Sequence, residues 1–107
     1  MIIVTTNDLV GYRVVRQLGM VRGVTVRSRN AVADFVGSVN AMFGGRIGAY
    51  VKLAEMARQE AYDELLKHAT EMGANAILAV RYDATEIMPG TTEVLAYGTA
   101  VVVEPIS

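Results

Sequence analysis

Glu60, Glu64 and His68 recur at every fourth position, a spacing that sets all three on one helical face, with Glu71 one turn further on. Imidazole and carboxylates together suit zinc or manganese, so this is the natural place to expect a divalent metal. A plainer reading competes with it: a solvated acidic face with a histidine near the helix C-terminus and an Asp63–Lys67 pair alongside. The plain reading is preferred, and the metal site is carried as the alternative. A second constellation, Gly44, Gly45, Arg46 and Gly48, precedes a helix, where free backbone amides and a guanidinium could hold a phosphate or carboxylate. It lacks the Gly-Lys-Ser/Thr ending of a Walker loop and follows no strand. A tight helix–helix junction explains the glycines more simply, which leaves anion or nucleotide binding as a second alternative.

Nucleophilic catalysis has little to work with. The chain holds no cysteine and one histidine, and Ser28, Ser38 and Ser107 have no neighbouring base in sequence. Thr5, Thr6, Tyr97 and Thr99 could line a polar pocket near strand ends, although each is also an ordinary strand residue. A non-enzyme is therefore favoured. Arg13, Arg16, Arg22, Arg27 and Arg29 fall within a stretch, Leu9 to Ala33, that contains no acidic residue, whereas Asp83, Glu86, Glu93 and Glu104 lie in the last quarter. An arginine-rich strand with Tyr12 beside it could bind RNA. Against this stand a net charge of −1, a pI near 5.7, and only five tyrosines and two phenylalanines. The expectation is instead that Arg16 and Arg22 pair at an interface with carboxylates such as Asp83, Glu86 or Glu93 from a neighbouring strand or subunit.

Positioning these groups falls to elements that the hydrophobic pattern marks out. Ile2–Val4 is a short first strand turned by Asn7, Asp8 and Gly11. From Tyr12 to Arg29, Tyr12, Val14, Leu18, Met20, Val24 and Val26 give a period of two, which predicts a long strand, with Gly19 and Gly23 marking a bulge, a bend or a close backbone approach. The period then lengthens: Val32, Phe35, Val36, Val39, Met42 and Phe43 predict a helix with Asn30 as its N-cap, Asp34 in its first turn and Gly44-Gly45 at its end. A second helix is expected from about Ala49 to Met72 with Gly73 as C-cap. Its inner stripe would be Tyr50, Ala54, Ala57, Ala61, Leu65, Ala69 and Met72, small enough in the middle for close packing. Asn75–Met88 and Thr92–Val103 are two strands joined at Pro89-Gly90-Thr91. The expected fold class is α+β, in the order β-β-α-α-β-β, with an antiparallel sheet packed against two helices and residues 1–107 forming one domain.

Of the 107 residues, 52% are apolar and the mean hydropathy is +0.33, yet the longest apolar run, Ala76 to Val80, is far short of the ~20 residues that span a bilayer. No membrane association is expected. The N-terminus has neither a basic lead nor a small-residue cleavage site, so a cytoplasmic location is the default expectation. The apolar surplus must then be buried in protein. Both faces of the last two strands are apolar, and one sheet with two helices covers only one of them. Assembly into a homo-oligomer follows as an expectation, with Arg16, Arg22, Val101 and Val102 as its candidate interface residues.

Several spaced motifs carry a resemblance along essentially the whole chain: Thr5-Thr6 after a short strand, Gly19-Met20-Val21-Arg22-Gly23, Gly44 to Tyr50, Gly73-Ala74-Asn75-Ala76-Ile77 and Tyr97-Gly98-Thr99-Ala100-Val101. In these the chain resembles the YbjQ-like family. The resemblance implies an α+β subunit similar to dodecin and a ring-shaped homopentamer, in an uncharacterised family of unknown biochemical role labelled "putative heavy-metal-binding". It supplies no ligand motif that can be carried over to numbered positions. A chain without cysteine and with one histidine gives that label little support.

Overall fold

The computed structural model describes residues 1–39 and 45–107. Its elements are strands β1 (Ile2–Ile3) and β2 (Tyr12–Ser28), helices α1 (Arg29–Val39) and α2 (Arg46–Met72), and strands β3 (Ala76–Met88) and β4 (Thr91–Pro105). The order β-β-α-α-β-β is as expected. The four strands form one sheet, ordered β1-β3-β4-β2, with β4 antiparallel to both β2 and β3. The sheet is nevertheless mixed, because β1 runs parallel to β3 through Ile2↔Ala76 and Ile3↔Ile77. Parallel neighbours need a long crossover, which β2 and both helices supply here. Two residues of strand carry no local signal of which direction they will pair.

β2 is one long strand, interrupted by register shifts at Val14/Arg16 and Gln17/Gly19. Gly19 takes a positive φ of 110° at the second shift, the bulge anticipated from its position. Ser28 begins α1 by accepting the Ala31 N–H at 3.2 Å. The helix thus starts two residues earlier than an Asn30 cap would place it, and Asp34 lies beyond its first turn. Met42, Phe43 and Gly44 lie outside the described residues. α2 ends on Gly73, whose φ of 89° is left-handed and whose N–H reaches back to the Thr70 carbonyl while Ala74 reaches Ala69. The Asn75 side chain then donates to the Val103 carbonyl at 2.9 Å and accepts the Val103 N–H at 2.8 Å, pinning the start of β3 to the end of β4.

Six residues of α2 face the sheet and are buried: Ala49, Leu53, Ala57, Ala61, Leu65 and Ala69. They form one ridge at strict fourth spacing, and this ridge lies against the strands. Tyr50, Ala54 and Met72, expected on that stripe, are exposed. The expected stripe mixed steps of three and four and so drifted around the helix by a residue in the early turns. The helix-side core joins Ala61, Leu65 and Ala69 to Val21, Ile77, Val80, Ala96 and Ala100. On the far face of the sheet, a second core of Ala76, Leu78, Val101 and Val103 is covered by Ile2, Val4, Leu9 and Tyr12. The N-terminal segment reaches this position by hydrogen bonding along β3, with Val80 N–H to Val4 O and Ala79 N–H to Thr6 O, while Arg81 holds the Thr5 carbonyl at 2.7 Å. Part of the second apolar face is thereby covered within the chain.

Candidate functional site

α2 runs beside the edge strand β2, and the candidate metal residues lie along that junction. Glu60 is drawn to the strand: its carboxylate pairs with Arg27 at 2.6 Å and accepts the Thr25 hydroxyl at 2.9 Å. The Arg27 hydrogen bond is the main cause that holds the Glu60 carboxyl below its usual value, against a partial desolvation that raises it. One helical turn on, Glu64 faces His68, with 3.5 Å between carboxylate and Nε2. His68 Nδ1 lies 2.7 Å from the Arg22 carbonyl. A carbonyl can only accept, so Nδ1 carries a proton there, and Nε2 is the ring nitrogen that faces the Glu64 carboxylate. An open cavity of about 400 Å³ beside these groups is lined by Val24, Thr25, Glu60, Asp63 and Glu64.

Helical spacing thus brings Glu64 and His68 together, while Glu60 is turned to Arg27. Among the described residues no three carboxylate or histidine groups converge as a metal cluster. Asp63 accepts a hydrogen bond from Gln59 at 2.9 Å rather than pairing with Lys67. Of the candidate anion loop, Gly44 lies outside the described residues. Gly45 has a positive φ of 95° and its carbonyl accepts the Ala49 N–H, as a junction that launches α2 requires. Arg46 is exposed.

The candidate interface residues part company. Val101 is fully buried in the far-face core of its own chain, and Val102 is partly buried opposite Arg16 on the other face. Arg16 and Arg22 are exposed and neither has a carboxylate partner among the described residues. The arginine strand and the acidic C-terminal quarter do meet once, where Arg13 pairs with Glu104 across β2 and β4.

Beyond the N-terminal segment, the far face is open. Strand register sets Met20, Val24 and Val26 of β2 on it, opposite Thr99, Leu95 and Glu93 of β4. Met20 is 71% exposed, Val24 41% and Val26 48%; exposed Arg22 lies between Met20 and Val24 in the same row, partly buried Tyr97 and Leu95 of β4 lie beside them, and Arg81 and Asp83 of β3 follow. The period-two alternation of β2 contained this strip, but the pattern alone could not tell which of its residues the N-terminal segment covers. The whole chain exposes 6829 Å², against about 5,800 Å² for a folded monomer of its mass. Its radius of gyration is 16.9 Å, where about 13 Å is usual.

Known proteins resemble this chain over most of its length. It is 52% identical over 105 residues to a UPF0145 protein of Chromobacterium violaceum, covering 98% of this chain and 90% of that one. A UPF0145 protein of Burkholderia thailandensis is 54% identical over 100 residues, covering 94% and 90%. The crystal structure of a Pediococcus pentosaceus protein of unknown function, from the DUF74 family, superposes with a TM-score of 0.63 at 19% identity over 97% of this chain and 98% of that one. That likeness establishes a shared α+β fold. The family model described as "putative heavy-metal-binding" matches residues 1–104, and the chain belongs to this YbjQ family of uncharacterised UPF0145 proteins.

Proposed function

We propose that this protein works as a homo-oligomer, with the open half of the far sheet face and the edge of β2 as its self-association surface. The observation that carries this is the exposed apolar patch of Met20, Val24 and Val26, joined through Leu95 and Tyr97 of β4 around Arg22, which lies within the row. Isolated exposed apolar residues need no explanation, but a contiguous strip on a sheet face does. Excess surface of about 1,000 Å² over a monomer of this mass is comparable to the ~800 Å² that each partner buries in an ordinary stable interface. β2 also leaves one edge without a neighbour in the sheet, a ready template for a second copy. The ring of five implied by the resemblance is one closed arrangement that satisfies such a heterologous surface. Light scattering or native mass spectrometry at micromolar concentration tests the reading. An assembly that Met20→Lys/Val24→Lys dissociates, with far-ultraviolet dichroism unchanged, supports it, and a monomeric wild-type protein overturns it.

A second reading, divalent metal binding, rests on His68. With Nδ1–H committed to the Arg22 carbonyl, Nε2 is oriented toward Glu64 in the manner of a metal-ligating histidine held by an outer hydrogen bond. Two ligands from one chain leave the remaining positions to water or to a second copy. Calorimetric titration with Zn²⁺ or Mn²⁺ should then show a stoichiometric site that Glu64→Ala/His68→Ala removes. An unchanged isotherm in the variant excludes these residues.

A further inference from the structure

On the helix side of the sheet, away from the self-association surface and independent of it, residues of α1, α2, β2, β3 and β4 border a cavity of about 280 Å³. Leu53, Ala54, Ala57, Val32, Ala84 and Val94 give it an apolar lining. Toward the hairpin turn it adjoins a wider cleft of about 500 Å³, with which it shares Arg27, Val32, Tyr50 and Thr92. Alanines at 54, 57 and 84 make the space: larger side chains on the same backbone would close it.

The polar groups around this cavity are mostly cationic. Arg58 lies at its wall and is held over the Tyr82 ring at 5.5 Å, a contact that fixes the guanidinium without neutralising it. Arg29 lines the adjoining cleft. Arg27 is answered by Glu60, and Glu86, the carboxylate among the cleft residues, accepts the Gly90 N–H across the hairpin turn. Arg29 and Arg58 have no carboxylate partner among the described residues. An apolar chamber with a few polar groups on its wall is the usual form of a small-molecule site, and this one, at about 280 Å³, falls just below the ~300–1,000 Å³ such sites occupy, which suits a small ligand.

We infer that this cavity binds a small organic anion: a carboxylate whose single ring or short acyl chain fills the space between Ala54, Ala57 and Val94 while its charge meets Arg58. Neutral molecules of the same shape would gain the apolar contacts but not the charge-assisted hydrogen bonds. Phosphates without an apolar body would gain the reverse.

Benzoate and octanoate, with benzyl alcohol, octanol and inorganic phosphate as comparison probes, separate these contributions by calorimetry and by amide shift mapping on the intact protein. The expected result is that a carboxylate binds at least tenfold more tightly than its alcohol. Its shifts should centre on Tyr50, Leu53, Ala57 and Thr92. Arg58→Gln should weaken binding tenfold or more at unchanged melting temperature. Ala54→Leu, at an exposed position on α2 that still lines the cavity, should abolish binding and leave both melting temperature and oligomeric mass intact. Equal affinity for carboxylate and alcohol, phosphate binding as tight as benzoate, or no binding by any probe overturns the proposal. So does carboxylate binding that survives Ala54→Leu, since the ligand then sits elsewhere, for example on the far face.

Discussion

Gly23 of β2 lies against the backbone of α2 at Ala61: a methyl group on the glycine would fall inside contact distance of the Ala61 carbonyl oxygen and the Leu65 amide nitrogen. Helix and sheet can approach this closely because both sides are small, with Ala57, Ala61 and Ala69 buried on the helix. The same approach brings His68 within reach of Arg22 and Glu60 within reach of Thr25, the residues on either side of Gly23 and Val24. Candidate metal chemistry at this junction is thus a by-product of one backbone contact.

Gly23→Ala should accordingly be among the most damaging single substitutions in the chain. Its new methyl meets backbone, which cannot swing aside as a side chain can, so a loss of about 3 kcal/mol is expected, the upper end for overpacking. Gly37→Ala in α1 provides the contrast. Nothing lies within 4 Å of a Cβ there, and removing a mid-helix glycine should stabilise by roughly 0.5–1 kcal/mol. Urea unfolding of both variants measures the difference.

Val101→Asp and Met20→Lys should fail in different ways. Val101 is fully buried between β3, β4 and the N-terminal segment, so an aspartate there leaves a charge without a partner and should cost several kcal/mol, enough to unfold a domain of this size. Met20 is largely exposed, and lysine there should leave the dichroism spectrum unchanged while lowering the solution mass. Dichroism together with light scattering distinguishes the two outcomes.

The Arg27–Glu60 pair should leave a small acid-limb signature. Because the folded-state pKa of Glu60 lies below its ordinary 4.5, the carboxylate's contribution is present in full above that value and is lost as the pH falls through the lowered one. Half of the Glu60 side chain is exposed, so the contribution should be under about 1 kcal/mol. Glu60→Gln should lower stability by that same small amount at pH 7 and flatten the profile below pH 4.5, so that urea midpoints of variant and wild type converge as the pH falls from 6 to 3.

Asn75→Ala should cost about 1–2 kcal/mol, since one side chain satisfies both the N–H and the carbonyl of Val103. Faster amide exchange at Val103 and its β3 neighbours would locate the loss. Asn75→Asp, which keeps the acceptor and loses the donor, should fall between alanine and wild type.

Much of the fold was legible because short-range patterns fix it. The period of two in β2, the helical spacing in α1 and α2, the left-handed Gly73 and the Pro89-Gly90 turn each state a local conformation that the structure reproduces. Gly19 and Gly23, which mark a bulge, a bend or a close backbone approach in the sequence, are a bulge at Gly19 and a close approach at Gly23 in the structure. Glu64 and His68 meet because residues four apart on a helix are neighbours on its surface.

The sequence by itself determined the element order, the bends and the existence of more apolar strand surface than two helices can cover. Only the tertiary structure decided where that surface ends up. β1 pairs parallel to β3 and leads the next residues across the far face, so Val101 becomes core while Met20, Val24 and Val26 stay open. Likewise Glu60 turns to Arg27 instead of joining His68, because the strand that passes beside α2 is distant in sequence. Periodicity reports which side of its own element a residue faces. What lies opposite that side depends on contacts between elements far apart in the chain, and no local pattern encodes them.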